Sequence, residues 1–385
     1  MNEVNVAAPP NGPTSKARYV MIGGFLGAGK TTAVAKLGHY LSSRGVRVGL
    51  ITNDQGQDLV DTAMLKAQGF ATQEIPGGCF CCRFNSLVEA AAKLTEQSRP
   101  EVIIAEPVGS CTDLVATVTY PLRRLYGENF TVAPVSVLVD PIRAMRIFGL
   151  EAGNSFSEKV LYIYRKQLEE ADLVVVSKSD LLSPERLAAL HRTINSRFPG
   201  KEILAVSPRH GTNLNEWFAR LEKDEQRARA AMAVDYEIYA DGEAKLGWLN
   251  CTVELHSENN FDSERFLTGL AVAVQKELQS CFVEIAHLKM TLNPDRKLGE
   301  LAVVNLVRND FVPELSMRLE DPIRSGQLTI NLRAEAEPAL LGQAVRNGLD
   351  IATREFPGLR ATLEHLEQFK PGKPKPTYRF ELATQ

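Results

Sequence analysis

Between Arg18 and about Arg229, short runs of Val, Ile and Leu alternate with longer stretches whose apolar residues recur at helical spacing, which predicts a parallel sheet covered by helices. Six strands are expected: Tyr19 to Gly23, Val46 to Thr52, Glu101 to Ala105, Val132 to Val139, Leu173 to Ser177 and Ile203 to Val206. Their almost continuous apolar character places them in a doubly wound α/β sheet buried on both faces. From about Ala230 to Leu246 the composition turns small and acidic, with Asp235, Glu237, Asp241, Gly242 and Glu243 breaking any apolar period, and this segment reads as a linker. Beyond it lie strand patterns at Trp248 to His256, Phe282 to Leu292, Leu301 to Arg308 and Gln327 to Leu332, with helices near Asp262 to Leu278 and from about Glu337. In the first of these helices Leu267, Leu270, Ala271, Val274 and Leu278 share one face and read as core. The expected organisation is a disordered N-terminal tail (1–17), an α/β domain (18–229), a linker (230–246), a smaller α+β domain (247–369) and a basic, proline-rich tail (370–385) that trails into solvent.

The length of 385 residues fits two or three domains at roughly 150 residues each. With 44 Lys+Arg against 47 Asp+Glu the formal charge is −3, without the basic excess that phosphate-backbone binding needs, so nucleic acid is not expected as a partner. The longest apolar runs, such as Val102 to Ala105, fall far short of the roughly 20 residues that cross a bilayer, so no membrane association is expected. Six cysteines are too few for a disulfide scaffold in so long a chain, and Cys79, Cys81 and Cys82 sit together, a usage that suits a reducing cytoplasm.

Gly24-Phe25-Leu26-Gly27-Ala28-Gly29-Lys30-Thr31 fits the pattern GxxxxGK[ST] and lies between the first strand and a helical stretch. Such a loop folds its backbone around a polyphosphate, with amide N–H groups and the following helix N-terminus aimed at the oxygens. Gly24, Gly27, Ala28, Gly29, Lys30, Thr31 and Thr32 are therefore candidate nucleotide ligands, Lys30 for the β- and γ-phosphates and Thr31 for Mg²⁺. Glu106, delivered at the end of the buried run Val102 to Ala105, is the expected second metal-side acid, and the following Pro107-Val108-Gly109 would let the Gly109 amide approach the γ-phosphate. Ser177-Lys178-Ser179-Asp180 follows the strand Leu173 to Val176; Asp180 could accept two hydrogen bonds from guanine while the Lys178 stem covers the ring, which points to GTP. Ser177 stands where the guanine element ordinarily has Asn.

Gly77-Gly78-Cys79-Phe80-Cys81-Cys82 precedes a helical pattern from about Asn85, so a helix N-terminus would favour thiolate over thiol. Soft thiolates suit Zn²⁺, Co²⁺ or similar ions, and a tetrahedral site needs four donors, of which this loop supplies two or three. Water, a nearby acid or a partner protein would complete it. Inert buried cysteines or a redox pair are the alternatives, and Cys111, Cys251 and Cys281, being isolated, are expected to be core. His210, His256 and His287 are expected to be packed or surface residues rather than ligands.

Taken in order, GGFLGAGKTT (Gly23 to Thr32), TNDQG (Thr52 to Gly56), GGCFCC (Gly77 to Cys82), EPVG (Glu106 to Gly109), VLVD (Val137 to Asp140) and ADLVVVSKSD (Ala171 to Asp180) resemble the CobW-type family of P-loop GTPases. The resemblance covers about the first 225 residues. It implies a P-loop NTPase sheet and a cytoplasmic GTPase that binds a transition metal at the CxCC thiols and delivers it to a client metalloprotein under nucleotide control. By the same resemblance Asn53, Asp54 and Gly56 look like a switch region, with Asp54 in place of the more usual Glu. The family's stretch after ExxG commonly reads Leu-Ala-x-Pro, whereas Ser110-Cys111-Thr112-Asp113 stands here and implies a possible extra thiol near the site. Asp54, Gln55 and Gln57 are candidates for positioning the attacking water, and slow intrinsic hydrolysis is expected. Two other readings are a P-loop kinase for a small molecule, which would place phosphate on an acceptor, and a thiol redox switch, whose cysteines would pair instead of binding metal.

Overall fold

The computed structural model describes residues 16–55, 60–227, 229–295 and 300–382. Its first part is a sheet of parallel strands, β1 (Ala17–Gly24), β2 (Val48–Asn53), β3 (Ala71–Ile75), β4 (Val102–Glu106), β5 (Phe130–Val132), β6 (Ser136–Val139), β7 (Leu173–Val176) and β8 (Glu202–Ala205). The order is β3-β2-β4-β1-β6-β7-β8, with β5 also pairing with β1. Helices α1 (Lys30–Ser42), α2 (Val60–Ala67), α3 (Phe84–Ser98), α4 (Tyr120–Tyr126), α5 (Pro141–Ile147), α6 (Glu158–Glu170), α7 (Pro184–Arg197) and α8 (Leu214–Lys223) cover it. Every residue of β4 is buried, as expected of a strand between two helical layers. The α/β architecture thus follows the apolar runs. Every parallel strand ends on the same edge of the sheet, where ligands bind in folds of this kind.

Two elements of this sheet escape the apolar pattern. β3 (Ala-Thr-Gln-Glu-Ile) has a half-polar sequence because it is an edge strand, paired only with β2. The expected single strand Val132 to Val139 is two short strands, since Pro134 has no N–H to give to a ladder.

The segment from 230 to 246 is not irregular: it contains α9 (Tyr236–Lys245), capped by Asp235, whose carboxylate accepts from the Glu237 and Ile238 amides. Its small residues reflect close packing. A Cβ on Gly242 would collide with the Lys159 carbonyl oxygen of α6, so only glycine lets the two helices approach this closely.

The second part is an antiparallel sheet built from β9 (Gly247–Phe261), β10 (Ile285–Pro294), β11 (Ala302–Leu306), β12 (Glu314–Met317), β13 (Ile323–Ala334) and β14 (Leu359–Phe369), in the order β12-β11-β10-β13-β9-β14. Helices α10 (Ser263–Ser280) and α11 (Pro338–Arg354) pack on one face, against Leu288, Met290, Leu292, Leu328, Ile330 and Leu332. The alternate positions of the same strands, among them Lys289, Asn331 and Arg333, point the other way, toward the first sheet. β12 and β14 were not legible as strands; β14 alternates with mostly polar residues because one of its faces is solvated.

The 370–382 segment does not trail into solvent. It runs back across the first domain, with Tyr378 and Phe380 against the main core. No helix among the described residues is long and apolar enough to cross a membrane.

Gly242→Ala is expected to force α9 away from α6 and destabilise the chain by about 1–3 kcal/mol. Urea unfolding with an unchanged midpoint would show that the helices have room to separate.

Candidate nucleotide and thiol site

At the carboxyl edge of β1 the chain turns sharply into the glycine loop. Gly24 adopts φ 129°, and a Cβ there would collide with the Leu138 carbonyl oxygen. Gly29, at φ 91°, caps α1 so that Lys30 and Thr31 form its first turn. Lys30 is buried, its Nζ 3.5 Å from the Phe25 carbonyl, and desolvation lowers its pKa against the pull of Glu106. Thr32, by contrast, is exposed on the outer side of the turn.

The Thr31 hydroxyl sits between two carboxylates, 2.7 Å from Asp61 Oδ1 and 3.0 Å from Glu106 Oε1. Burial, helped by the Asp61 charge, pushes the Glu106 carboxyl up to about 7. Its second oxygen is buried with no hydrogen-bond partner among the described residues. The donors are hard oxygens, the set that holds Mg²⁺ alongside phosphate, so Thr31, Glu106 and Asp61 fit such an ion. Asp61, on α2, was not anticipated; no motif marks it. The second sheet also enters the cage: Lys289 of β10 places its Nζ 2.6 and 2.7 Å from the two Asp61 oxygens and 3.3 Å from the Thr31 hydroxyl. Burial opposes the Asp61 charge, but Lys289 holds its carboxyl below the usual range.

On the other side of the loop, the Ser177 hydroxyl lies 2.8 Å from the Ala28 carbonyl, tying β7 to the glycine loop. Lys178 Nζ donates to the Gly27 carbonyl at 3.0 Å and to Asp140 at 2.9 Å, and its stem passes beside Gly29. Asp180 is exposed and accepts from the Ser207 hydroxyl at 2.5 Å. Asp140, the last residue of VLVD, also caps α5 and meets Arg308 of the second part at 3.0 Å. Burial works against this carboxylate, yet Lys178, Arg308 and Arg143 hold it ionised. Arg143 donates to the Leu26 carbonyl at 2.7 Å and reaches the Ile285 and Ala286 carbonyls at 3.2 Å, which clamps the glycine loop to β10.

The cysteine loop is organised by Asn53, at the end of β2. Its amide donates to the Ile75 and Gly78 carbonyls at 2.8 and 2.6 Å and its oxygen accepts from the Phe80 N–H at 2.9 Å. The sulfurs of Cys79, Cys81 and Cys82 all lie within 4.8 Å of one another and can hold a metal ion. Their separations are 2.6 Å for Cys79–Cys81, 3.4 Å for Cys79–Cys82 and 3.6 Å for Cys81–Cys82. Hydrogen bonds from Cys111, Cys81 and Cys82 hold Cys79 well below the usual thiol range, so the cluster favours one thiolate. Cys82 is pushed up to about 11 by the same bond to Cys79. Cys111, as expected, is buried in the core, the same one that holds Cys79 and Cys81, while Cys281 is exposed. His287 is buried; His210 and His256 are exposed.

Asp54 does not join the oxygen cage. Both of its oxygens face Arg333 of β13, at 3.2 and 3.3 Å, while Gln55 reaches Glu243 of α9 at 3.4 Å. Gly56 and Gln57 lie outside the described residues.

One buried loop connects everything. After Glu106, a Cβ on Gly109 would come within 2.9 Å of Lys30 Nζ. Ser110 donates to Glu243 at 2.7 Å, Cys111 packs into the core that holds Cys79, and Thr112 donates to Glu170 at 3.1 Å. Gln167 holds the loop by donating to the Gly109 and Cys111 carbonyls at 2.9 and 2.8 Å. The C-terminal segment covers the thiols from outside: the Lys375 N–H donates to Cys82 Sγ at 3.2 Å, the Thr377 N–H to the Cys81 carbonyl at 2.8 Å, and Tyr378 packs edge-on against Phe84. Arg379 secures it by donating to Asp113 at 2.8 Å. Asp61, Lys289, Arg143, Arg308, Arg333, Glu243 and this strap all went unread in the sequence; only the two-residue alternation of β10 and β13 hinted at Lys289 and Arg333.

A glycine loop between β1 and α1, with a buried acid closing the adjacent β4, defines a P-loop nucleotide-binding protein of the doubly wound α/β class. Residues 18–205 match the model described as CobW/HypB/UreG, nucleotide-binding domain. The zinc chaperone YeiR of Escherichia coli (strain K12) is 30% identical over 180 residues, 46% of this chain and 50% of that protein. The zinc chaperone CobW of Sinorhizobium sp is 32% identical over 214 residues, 49% of this chain and 58% of that protein. The solved structure of Zn(II)-bound YjiA GTPase from E. coli is 13% identical with a TM-score of 0.35, covering 88% of this chain and 99% of that one. The chain spans about half the length of the curated relatives it matches.

Burial pushes Glu170 up to about 8 from an ordinary 4.5. The native carboxyl therefore keeps a proton that the unfolded chain releases, so this group's contribution to stability is full below about pH 4.5 and is lost as pH rises toward 8. Glu170→Gln can keep the bonds to Thr112 and Val115 without a titrating proton, and denaturant midpoints measured across that range are expected to fall less steeply than in the parent. Parallel curves would mean that Glu170 is ionised in the native state. Separately, Tyr378→Ala combined with Phe380→Ala is expected to release the strap and speed alkylation of Cys82 several-fold, read by mass spectrometry. Unchanged labelling would show that the strap does not shield the thiols.

Proposed function

We propose that this chain is a GTP-dependent metallochaperone that takes up a transition metal ion at Cys79, Cys81 and Cys82 and passes it to a client metalloprotein. The observation that supports this reading is the single buried loop that starts at Glu106 in the oxygen cage, passes Gly109 against Lys30 and carries Cys111 into the same apolar core as Cys79 and Cys81. In this reading the glycine loop and Lys30 bind the phosphates, Thr31 and Glu106 with Asp61 hold Mg²⁺, and Lys178 and Asp180 face the base. Bound Mg²⁺ would neutralise charge developing on the transferred phosphoryl group. Thr31 and Glu106 orient their oxygens for it, and the second sheet roofs the cage through Lys289.

Gly109 packs against Lys30, and Gln167 binds both the Gly109 and the Cys111 carbonyls, so in this reading a change in phosphate occupancy at Lys30 would shift the backbone that carries Cys111. Coupling of this sort is reciprocal: if GTP tightens metal binding, metal tightens GTP binding by the same factor. The names of the curated relatives, zinc chaperones and a zinc-regulated GTPase metalloprotein activator, support a zinc cargo and a protein client. Softness of the donors accommodates Co²⁺ as well.

The test is a competitive Zn²⁺ and Co²⁺ titration of the reduced protein with no nucleotide, with Mg·GDP and with a non-hydrolysable Mg·GTP analogue. Metal affinity is expected to differ between the GDP and GTP-analogue states; identical affinities would remove the chaperone reading. Cys81→Ala with Cys82→Ala is expected to leave GTP binding near normal and weaken metal binding by more than about 100-fold, beyond what loss of an outer-shell partner causes.

A further inference from the structure

We infer that the Lys289 ammonium is a built-in counter-ion that occupies the magnesium place at Thr31 and Asp61 and leaves it when Mg²⁺ enters with a nucleotide, so that magnesium loading unties β10 from α2. The inference rests on the reading of this cage as a magnesium and nucleotide site and adds to it the residue that the ion must displace.

The cage oxygens have the spacing of a magnesium shell. Mg²⁺ demands near-octahedral ligands at about 2.0–2.1 Å, which sets neighbouring ligand atoms about 2.9 Å apart. Thr31 Oγ1 lies 2.7 Å from Asp61 Oδ1 and 3.0 Å from Glu106 Oε1. Lys289 Nζ stands over the first of these pairs, 2.6 Å from Asp61 Oδ1, 2.7 Å from Asp61 Oδ2 and 3.3 Å from Thr31 Oγ1. An ammonium has three donors, and here they meet three oxygens, so the side chain already fills the place of a cation. An ion that takes Thr31 and Asp61 as ligands needs the same lone pairs, and two cations a few ångströms apart in a half-buried cage repel strongly. Lys30, the other ammonium of the cage, is not the competitor, because its Nζ donates to the Phe25 carbonyl of the glycine loop at 3.5 Å.

Lys289 belongs to β10 of the second sheet and Asp61 to α2 of the first domain, so their ion pair joins the two. Its loss leaves Asn331 accepting from the Val60 N–H at 3.2 Å, and Val60 and Met64 packed with Leu301 and Val303. The domains therefore stay together while β10 gains freedom beside the glycine loop, and occupancy of the nucleotide site is reported to the second sheet. By linkage, whatever holds β10 against α2 opposes the ion to the same extent that the ion loosens β10.

A crystal structure of the full chain with Mn²⁺ and GDP, the ion placed by its anomalous scattering, tests the exchange on the parent protein. The expected result is an ion bonded to Thr31, with Lys289 Nζ out of hydrogen-bond reach of Asp61. An ion on Thr31 with Lys289 still bonded to both Asp61 oxygens would overturn the exchange and leave the magnesium site intact. Bound GDP with no ion at Thr31 would instead remove the reading on which the exchange rests. In solution, GDP affinity of the parent and of Lys289→Met is measured in EDTA and in Mg²⁺; GDP has no γ-phosphate for a displaced Lys289 to bind. Without the ammonium, Asp61 and Glu106 face the phosphates uncompensated until Mg²⁺ arrives, so the factor by which Mg²⁺ tightens GDP is expected to rise in the variant, by roughly 5- to 150-fold, the ordinary range for coupled ligands. An unchanged factor would overturn the inference, and an equal loss of affinity in both conditions would assign Lys289 to the phosphates instead.

Discussion

The loop from Glu106 to Asp113 is buried along its whole length, and the rest of the site depends on that burial. A loop inside a protein must find partners for its backbone groups, since an unpaired amide or carbonyl away from water costs about as much as a lost hydrogen bond. Here they come from several directions: Gln167 of α6 serves the Gly109 and Cys111 carbonyls, Tyr239 of α9 accepts from the Thr112 N–H, and the Glu170 carboxyl accepts from the Val115 N–H. A segment bound on so many sides has few alternative positions. A shift at one end, beside Thr31 and Lys30, would therefore be carried along the backbone toward Cys111.

The second sheet contributes through the face that its helices do not cover. Leu288, Met290, Leu328 and Ile330 bury one face against α10 and α11, and strand alternation then requires Lys289, Asn331 and Arg333 to project from the other. These polar groups would be costly in an apolar interface, and each is paired: Lys289 with Asp61, Asn331 with the Val60 N–H, Arg333 with Asp54 and, by stacking, with Trp248. Arg308 and Arg143 add two more links, one to Asp140 and one to the glycine loop. The second sheet is thus the wall that closes the cage.

Charge is balanced locally. Lys289 sits among Thr31, Asp61 and Glu106, where without it two carboxylates would share a dehydrated space. Among the described residues no cation pairs with the thiols of the cluster. The Cys79 sulfur lies 2.6 Å from that of Cys81 and 3.4 Å from that of Cys82, an arrangement in which an entering metal ion would displace protons instead of breaking salt bridges.

The parallel sheet, the glycine loop, the position of Glu106 at a strand end and the grouping of Cys79, Cys81 and Cys82 were all legible in the amino-acid sequence. Each of these is a local pattern, set by neighbours a few residues apart and by the burial of continuous apolar runs. The three-dimensional packing was needed to show that α9 is a helix, because the glycine that looked like an interruption is the point at which α6 and α9 touch. It alone turned Asp54 toward Arg333, brought Asp61 and Lys289 to Thr31, buried Cys111 in the same core as Cys79 and laid the last residues across the cysteines. Those pairings join residues far apart in the chain, whose attraction depends on geometry that no spacing in the sequence records.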